Sequence, residues 1–576
     1  MRLVAAIAGL LLTTAGLAAT PAAAADPEPT AQSIRFTTSD GVSLQTTLFS
    51  SDPTVPRPTV VEFSPYGNNS QTVTPSPGTN VLLVQIRGTG SSDGQFDALG
   101  PRNQADVPEV LQWACEQPWS NGSLGINGFS ASAIIIYNSM HQQLPCVKTM
   151  VLKSGTFELY RDLLVPGGVS NIVPGAGVIL LIGAPALLQG AERLERNPAS
   201  SLDVLSGLFL AGLNAGLLHP TLDEFWKKRR FRGDVNNVPV LVIDGFFDVE
   251  SRGAFQGYQQ LRDDGAHLLV VGAHDGAPQG TDGGAAETNA WFDHYLSGVD
   301  NGVEDHPRVQ MLLSDGDRED MLAGQYVARD ATDWPVPGTT WHSLSLDATK
   351  SGSARSLNDG SLTLGSPGRT GLQTYLAAPT IPFNSDPPNT AILGGFGLNQ
   401  LTTALPFLSQ MDLTEPLGLS YTTKPLTQDV LAVGPAALDV RLSSTSPETA
   451  IWAVLTDVAP DGSSHPLTVG RLLTSFPEID ESKSLKDGNG AIVQPYGDFS
   501  RKTPFASLTP KLYHVELWPV GNRFKAGHRI RLDLVGASLA SLPTLPGLTS
   551  VRVGGTSGSR LLLPVLPESD LAAALN

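Results

Sequence analysis

Acyl transfer at a carbonyl needs a hydroxyl nucleophile, a base to take its proton and an acid to orient the base. This 576-residue chain offers all three, each just past a short apolar run. Ser130 follows the run 124–129 and opens the helix-like stretch SerAlaSerAlaIleIleIleTyrAsn. Asp248 follows 238–243 through GlyPhePheAsp, and His274 follows 267–271 through GlyAlaHisAsp. Gly128 stands two places before Ser130, as a sharp strand-to-helix turn that lifts a serine hydroxyl above a sheet requires, although Ser132 replaces the usual closing glycine. Each residue alone has a plainer reading: a serine N-cap, a capping aspartate, a loop histidine. Their joint placement, in the chain order serine, acid, histidine and each past a strand end, favours a catalytic triad.

Six runs carry the elements that must position these groups, at 60–63, 81–86, 124–129, 147–152, 238–243 and 267–271. They alternate with helical patterns, the habit of a mostly parallel sheet, and the last two, 238–243 and 267–271, are nearly continuous apolar runs, as expected of strands covered on both faces. The stretches 252–262 and 286–296 read as helices, the second closed by Gly298. The interval between the fourth and fifth strands is too long for a plain connection, so residues 156–233 read as an inserted helical cap. From Leu163 to Ala191 it has no charged residue, and Pro174, Gly175, Gly177, Gly183 and Pro185 are expected to break the run into short helices rather than a membrane span. The expected α/β core therefore occupies 26–155 and 234–300.

Beyond residue 301 helical periodicity gives way to alternation and turns. Ile530, Leu532 and Leu534 alternate with Arg529, Arg531 and Asp533, and ProAspGly at 460–462 marks a turn between two strands. Residues 301–576 are thus expected to form an antiparallel β-sandwich. A net charge of -18 excludes nucleic acid as a natural partner, because phosphate binding needs clustered Lys and Arg. No metal-ligand, paired-cysteine or phosphate-loop pattern occurs, so no cofactor is expected. Residues 1–25 combine Arg2, an apolar stretch and a small-residue run before Asp26, which reads as a secretory signal peptide and places the mature chain outside the cell. In that compartment the only cysteines, Cys115 and Cys146, form a candidate disulfide, two buried thiols being the alternative.

The chain resembles the cocaine esterase and X-Pro dipeptidyl-peptidase group of α/β-hydrolases. The resemblance lies in SerProTyrGly at 64–67, ArgGlyThrGlySerSerAspGly at 87–94, the segment around Cys115, the Ser130 turn, GluLeuTyrArgAsp at 158–162, GlyPhePheAsp and 291–302, and continues through 455–462 and 527–534. It implies an α/β-hydrolase fold with an inserted helical cap and a C-terminal jelly roll. It also implies that the Tyr66 hydroxyl and the Ala131 backbone N–H form the oxyanion hole. The chain departs from the family at Ala131, Phe246 and Ala273, where larger or different side chains are usual, and these changes are expected to remake the acyl pocket.

Three functions follow as expectations. The first is hydrolysis of a small-molecule carboxylic ester, favoured by the uncharged cap. The second is an X-Pro dipeptidyl-peptidase or α-amino-acid ester hydrolase, in which Glu250 and Asp162 would hold a substrate ammonium. The third is a binding protein with a decayed site, for which Trp452, Tyr513 and Trp518 would have to be exposed rather than packed in a core. Oligomeric state is not legible in the sequence.

Overall fold

The computed structural model describes residues 28–67, 78–196, 198–272, 276–356, 358–365, 368–378, 410–503, 508–538 and 540–576. The signal-peptide expectation at 1–25, and His274 with Ala273, lie outside the described residues.

The first half is built on one mixed sheet. Its strands are β1 (Thr30–Thr37), β2 (Ser43–Ser50), β3 (Arg57–Ser64), β4 (Asn80–Gln85), β5 (Ser120–Phe129), β6 (Val147–Lys153), β7 (Val240–Asp244), β8 (His267–Val270) and β9 (Val309–Ser314). Their spatial order is β1-β2-β4-β3-β5-β6-β7-β8-β9, antiparallel at β1, β2 and β4 and parallel from β4 through β3 to β9. The near-continuous apolar runs have a direct cause, since successive side chains enter opposite cores. Val61, Leu82, Met150 and Val242 face one, while Val60, Val81, Val151 and Leu241 face the other, under Trp291, Phe292 and Leu296 of the helix Ala285–Ser297. That helix stops where expected, at Gly298 with φ 69°. The sheet runs on past the boundary expected at residue 300, because β9 pairs in parallel with β8 before the chain turns to its second half.

Between β6 and β7 the chain makes short helical segments from Tyr160–Leu164 to Glu224–Lys227, closed at the base by a bridge between Glu158 and Arg230. Contrary to the expected breaks, Ile172–Gly177, Val178–Gly183 and Ala184–Leu188 follow one another without a gap, a π-helical turn between two α-helical ones, so Gly177 and Gly183 mark changes of helical type, and the run ends at Gln189. Among the described residues of the insertion the longest helix is Pro198–Leu213. Among the described residues no helix is long and apolar enough to cross a membrane. The second half is mostly antiparallel. One run of pairings joins Gly371–Ala377, Gly547–Val553, Val430–Ser444 and Lys511–Phe524. Another joins Leu419–Thr422, Arg529–Val535, Ala450–Val458 and Ser464–Leu473, the last two through the 460–462 turn, where Gly462 has φ 89°.

The alternation read at 529–535 separates two faces, and both are buried. In Arg529–Val535 the polar residues Arg531 and Asp533 are as buried as Ile530 and Leu532. Arg531 pairs with buried Glu415, and Asp533 accepts hydrogen bonds from Ser420 Oγ (2.5 Å) and Thr456 Oγ1 (3.0 Å). Burial pushes the Asp533 carboxyl up to about 7. Alternation reported two faces correctly, but the polar face meets a polar network instead of water. Trp452, Tyr513 and Trp518 are buried, which removes the exposed aromatic platform that a sugar-binding reading needs.

Cys115 and Cys146 form a disulfide across a separation of 31 residues, tying the end of the helix Pro101–Cys115 to the entry of β6. Replacing both by Ala is expected to lower unfolding free energy by about 3 to 4 kcal/mol on the chain-entropy estimate, measured by denaturant titration. A second expectation concerns pH. Burial pushes His267, at the start of β8, down from its ordinary 6.5 to about 4. Between these values the unfolded chain binds a proton that the folded chain refuses, so stability should fall as pH drops from 6.5 towards 4. Thermal unfolding of His267→Gln should show a shallower loss over that window; an unchanged slope would assign the loss to other groups.

Candidate active site

Ser130 sits between β5 and the helix Ala131–Ser139 with φ 52° and ψ -123°. A non-glycine residue enters this region only when its surroundings hold it there. Its N–H donates to the Lys153 carbonyl (2.9 Å) on β6, and its carbonyl accepts from the N–H groups of Ala133 (2.9 Å) and Ile134 (3.0 Å). The turn is so tight that a Cβ on Gly128 would lie 2.7 Å from the backbone of Ala133, which explains the glycine two places before the serine. Ser132, in place of the second glycine, is fully buried.

The plainer reading of Ser130 as a helix cap does not hold, because its side chain makes no capping hydrogen bond. Its Oγ donates instead to Glu250 Oε1 at 3.3 Å. Glu250 is buried and begins the helix Ser251–Leu261. Its own N–H donates to Asp248 Oδ1 (3.0 Å), so the aspartate that closes the loop after β7 fixes the start of the helix whose first carboxylate reaches the serine. Asp248 is wholly buried. On the other side of Ser130, the Ala131 N–H donates to the Tyr66 hydroxyl oxygen at 3.1 Å. Tyr66 follows β3, so neighbouring parallel strands β3 and β5 deliver these two groups to one point.

A small cavity of about 100 Å³ opens at Ser130. Tyr66, Ala131 and Glu250 line its polar end, and Leu99, Ile134, Leu159, Leu163, Leu164, Ile182 and Val249 supply an apolar wall, much of it from the helical insertion. Of the three departures from the family pattern, Ala131 does line this cavity. Phe246 does not, contrary to the expectation that it remakes the acyl pocket. It stacks on Phe255 with ring centroids 5.3 Å apart, and its ring lies so close to Gly521 that a Cβ there would be 2.2 Å from it, so its size serves the contact between the two halves of the chain.

Asp162 is also a correction. It is completely buried, accepts from the Glu158 N–H (2.9 Å) and Thr156 Oγ1, and is paired with the Arg252 guanidinium. It does not line the cavity, and its charge is already met, which takes it out of a substrate-ammonium site. Arg252 also binds Glu516 at 2.9 Å, and Arg161 joins Glu158 to the Gly497 carbonyl (2.9 Å) and lies 4.1 Å from the centre of the Tyr496 ring. This network ties the insertion, the helix after Asp248 and the second half together. Sequence reading missed it; the only signal was charge appearing in otherwise apolar surroundings at 158–162 and at Arg252.

The loop ArgGlyThrGlySerSerAspGly at 87–94 holds the insertion in place. Buried Arg87 pairs with Asp106 (2.7 Å) and Asp40 (2.9 Å), and Gly88, with φ 76°, passes so close to Phe96 that a Cβ would sit 2.0 Å from its N. Arg193 of the insertion donates to the Ser92 carbonyl (3.1 Å), and Arg196 pairs with Asp93 (2.8 Å).

A serine on a tight strand-to-helix turn at the carboxyl end of a central parallel strand, with a buried aspartate beyond a later strand, is the arrangement found in α/β folds of the hydrolase class. Residues 40–275 match the model for X-Pro dipeptidyl-peptidase (S15 family), and residues 301–551 match that for the X-Pro dipeptidyl-peptidase C-terminal non-catalytic domain. Cocaine esterase of Rhodococcus sp. (strain MB1 Bresler) is 25% identical over 550 residues, covering 86% of this chain and 88% of that protein. A CocE/NonD family hydrolase from Staphylococcus aureus superposes with a TM-score of 0.70 at 18% identity, covering 93% of both chains. An α-amino acid ester hydrolase also gives 0.70 at 16% identity, over 96% of this chain and all of that one. The chain belongs to the cocaine esterase and X-Pro dipeptidyl-peptidase-like family, and it is a hydrolase of that family.

Replacing Arg252 by Met leaves Asp162 buried without its cation and is expected to cost about 3 to 5 kcal/mol in urea unfolding. Adding Asp162→Asn should recover part of that loss. If the double variant were no better than the single, the pair would not be the source of the cost.

Proposed function

We propose that the protein is an exported serine hydrolase that cleaves carboxylic esters through an acyl-enzyme, with Ser130 as nucleophile, His274 as base and Asp248 as the acid that orients the base. The observation that carries this reading is Ser130 itself, held at φ 52° without a capping role and open to an apolar cavity. Asp248, past the end of β7, and His274, past β8 in the chain, supply the order that acyl-transfer triads of this fold use. The Ser130 oxygen would attack the ester carbonyl while His274 takes its proton and then delivers it to the departing alkoxide. Water, activated by the same histidine, would release the acid and restore the serine. Negative charge on the carbonyl oxygen would be met by the Ala131 N–H and the Tyr66 hydroxyl, whose convergence supports that role. On this reading the helical insertion acts as a cap that shapes the acyl pocket, and the second half is a jelly roll that buttresses it. The Cys115–Cys146 disulfide supports export, since such bonds persist in oxidising compartments.

A second reading, cleavage of esters or amides of free α-amino acyl groups, is favoured by one observation. Glu250 places a buried carboxylate 3.3 Å from the Ser130 hydroxyl, where it could meet an ammonium. With Asp162 committed to Arg252, this carboxylate would act without that partner.

Ser130→Ala should abolish hydrolysis of nitrophenyl esters and labelling by a fluorophosphonate probe, and activity surviving in that variant would end the proposal. Tyr66→Phe is expected to lower kcat by about a hundred- to a thousandfold with the fold unchanged by circular dichroism. Comparing Ala-Pro-nitroanilide with its acetylated form separates the two readings, because an ammonium site loses the blocked substrate.

A further inference from the structure

Ester hydrolysis at Ser130, as proposed above, leaves the source of the ester open, and the outer face of the insertion bears on it. Of the 22 large apolar side chains exposed among the described residues, 11 lie between Ile172 and Leu218, so the exposure is concentrated rather than scattered. The helix Pro198–Leu213 shows how it arises. Ser200, Val204, Gly207 and Ala211 form its buried stripe, at helical spacing. Leu202, Leu205 and Phe209, again at helical spacing, lie away from that stripe and are 71%, 45% and 67% exposed. Leu188, at the end of Ala184–Leu188, is 83% exposed. An amphipathic helix puts polar residues on its solvent side; this one puts apolar residues on both.

Two observations bear on what this face would meet. The first is continuity with the cavity. Leu181 is 41% exposed and also lines the cavity at Ser130, so the cavity's apolar wall reaches the exposed side of the insertion at this residue. The cavity's roughly 100 Å³ holds only a few heavy atoms, so a longer acyl chain must continue past Leu181 onto the outer face. A second protein copy seated here would cover that route. A lipid phase would supply substrate through it. The second observation is charge. Exposed Glu195 and Asp203 border the face, the Arg196 guanidinium is already paired with Asp93, and the chain as a whole carries -18. Such a border is repelled by anionic lipid and tolerates a neutral surface.

We infer that the outer face of the insertion docks on an uncharged lipid surface, and that the esters reaching Ser130 are aggregated neutral lipids such as acylglycerols. Docking buries the leucine and phenylalanine side chains in the acyl phase, and a lipid's ester group then has a short apolar path to the serine.

The test uses the full chain, its Ser130→Ala variant and a triple variant Leu188→Ser, Leu202→Ser, Phe209→Ser, with Phe209→Asp as a second single change. The readouts are flotation with trioleoylglycerol droplets stabilised by phosphatidylcholine, hydrolysis of those droplets, and hydrolysis of dissolved nitrophenyl acetate. The native chain and Ser130→Ala should both float. The triple variant should stay in the aqueous phase and lose on the order of a hundredfold in droplet hydrolysis, while nitrophenyl acetate turnover, which also reports folding, stays within about twofold. Phe209→Asp should weaken flotation in the same direction. The inference is overturned if the native chain does not float, if the triple variant hydrolyses droplets as fast as the native chain, if phosphatidylserine vesicles bind more tightly than neutral droplets, or if sedimentation shows a dimer that the triple variant loses without flotation. Absence of nitrophenyl acetate turnover in the native chain would count against the ester-hydrolase reading instead, and flotation of Ser130→Ala judges the docking by itself.

Discussion

The backbone of Ser130 is the constraint on which the site depends. A φ of 52° costs an L-residue on the order of 1 to 3 kcal/mol, so it persists only where neighbours leave no alternative. Those neighbours are identifiable: the β6 carbonyl that takes its N–H, the helix whose first two bonds end on its own carbonyl, and the hydrogen atom of Gly128 where any side chain would strike Ala133. The same geometry exposes the hydroxyl and frees it from capping. Strain, accessibility and the small residues beside it are one fact seen from three sides.

Around this turn, parallel strands act as rails. β3 carries Tyr66 to the site, β5 carries Ser130, and β7 ends at the loop with Asp248 and Glu250. Because the central strands such as β3 and β7 are buried on both faces, they cannot slip without moving their apolar sets from one core to the other. The rails hold positions; ion pairs and arginine hydrogen bonds to backbone carbonyls hold the pieces that the rails do not reach. Arg252 joins Asp162 to Glu516, and Arg193 and Arg196 clamp the insertion to the loop at 87–94. Such pairs are expensive to break rather than strongly stabilising in themselves, which suits contacts whose task is to fix one arrangement among several.

The insertion is unlike the rest of the molecule. Its inner surface is packed and its anchors are ionic, but its outer surface carries exposed leucines on a chain that is otherwise strongly acidic. The apolar character that made the segment look like a candidate membrane span is therefore divided between a cavity wall and a solvent-facing surface. The helical run over 172–188 continues through Pro174, Gly177 and Gly183 and stops at Gln189, and among the described residues no helix is long and apolar enough to span.

What the sequence determined by itself was the framework. Period, length and turn residues are local properties, and they were enough to locate the parallel strands, the helix ending at Gly298, the insertion and the 460–462 turn. Tertiary structure decided which side chains meet. Asp162 looked like a carboxylate available to a substrate until Arg252, 90 residues away in the chain, claimed it. Phe246 looked like pocket lining until Gly521 proved to lie against it. Alternation put Arg531 and Asp533 on the face opposite Ile530 and Leu532, but not the Glu415, Ser420 and Thr456 that meet them there. The reason is the same each time: whether a polar or bulky residue is satisfied depends on partners distant in the chain, and a sequence pattern reports the direction in which a side chain points but not what it finds there.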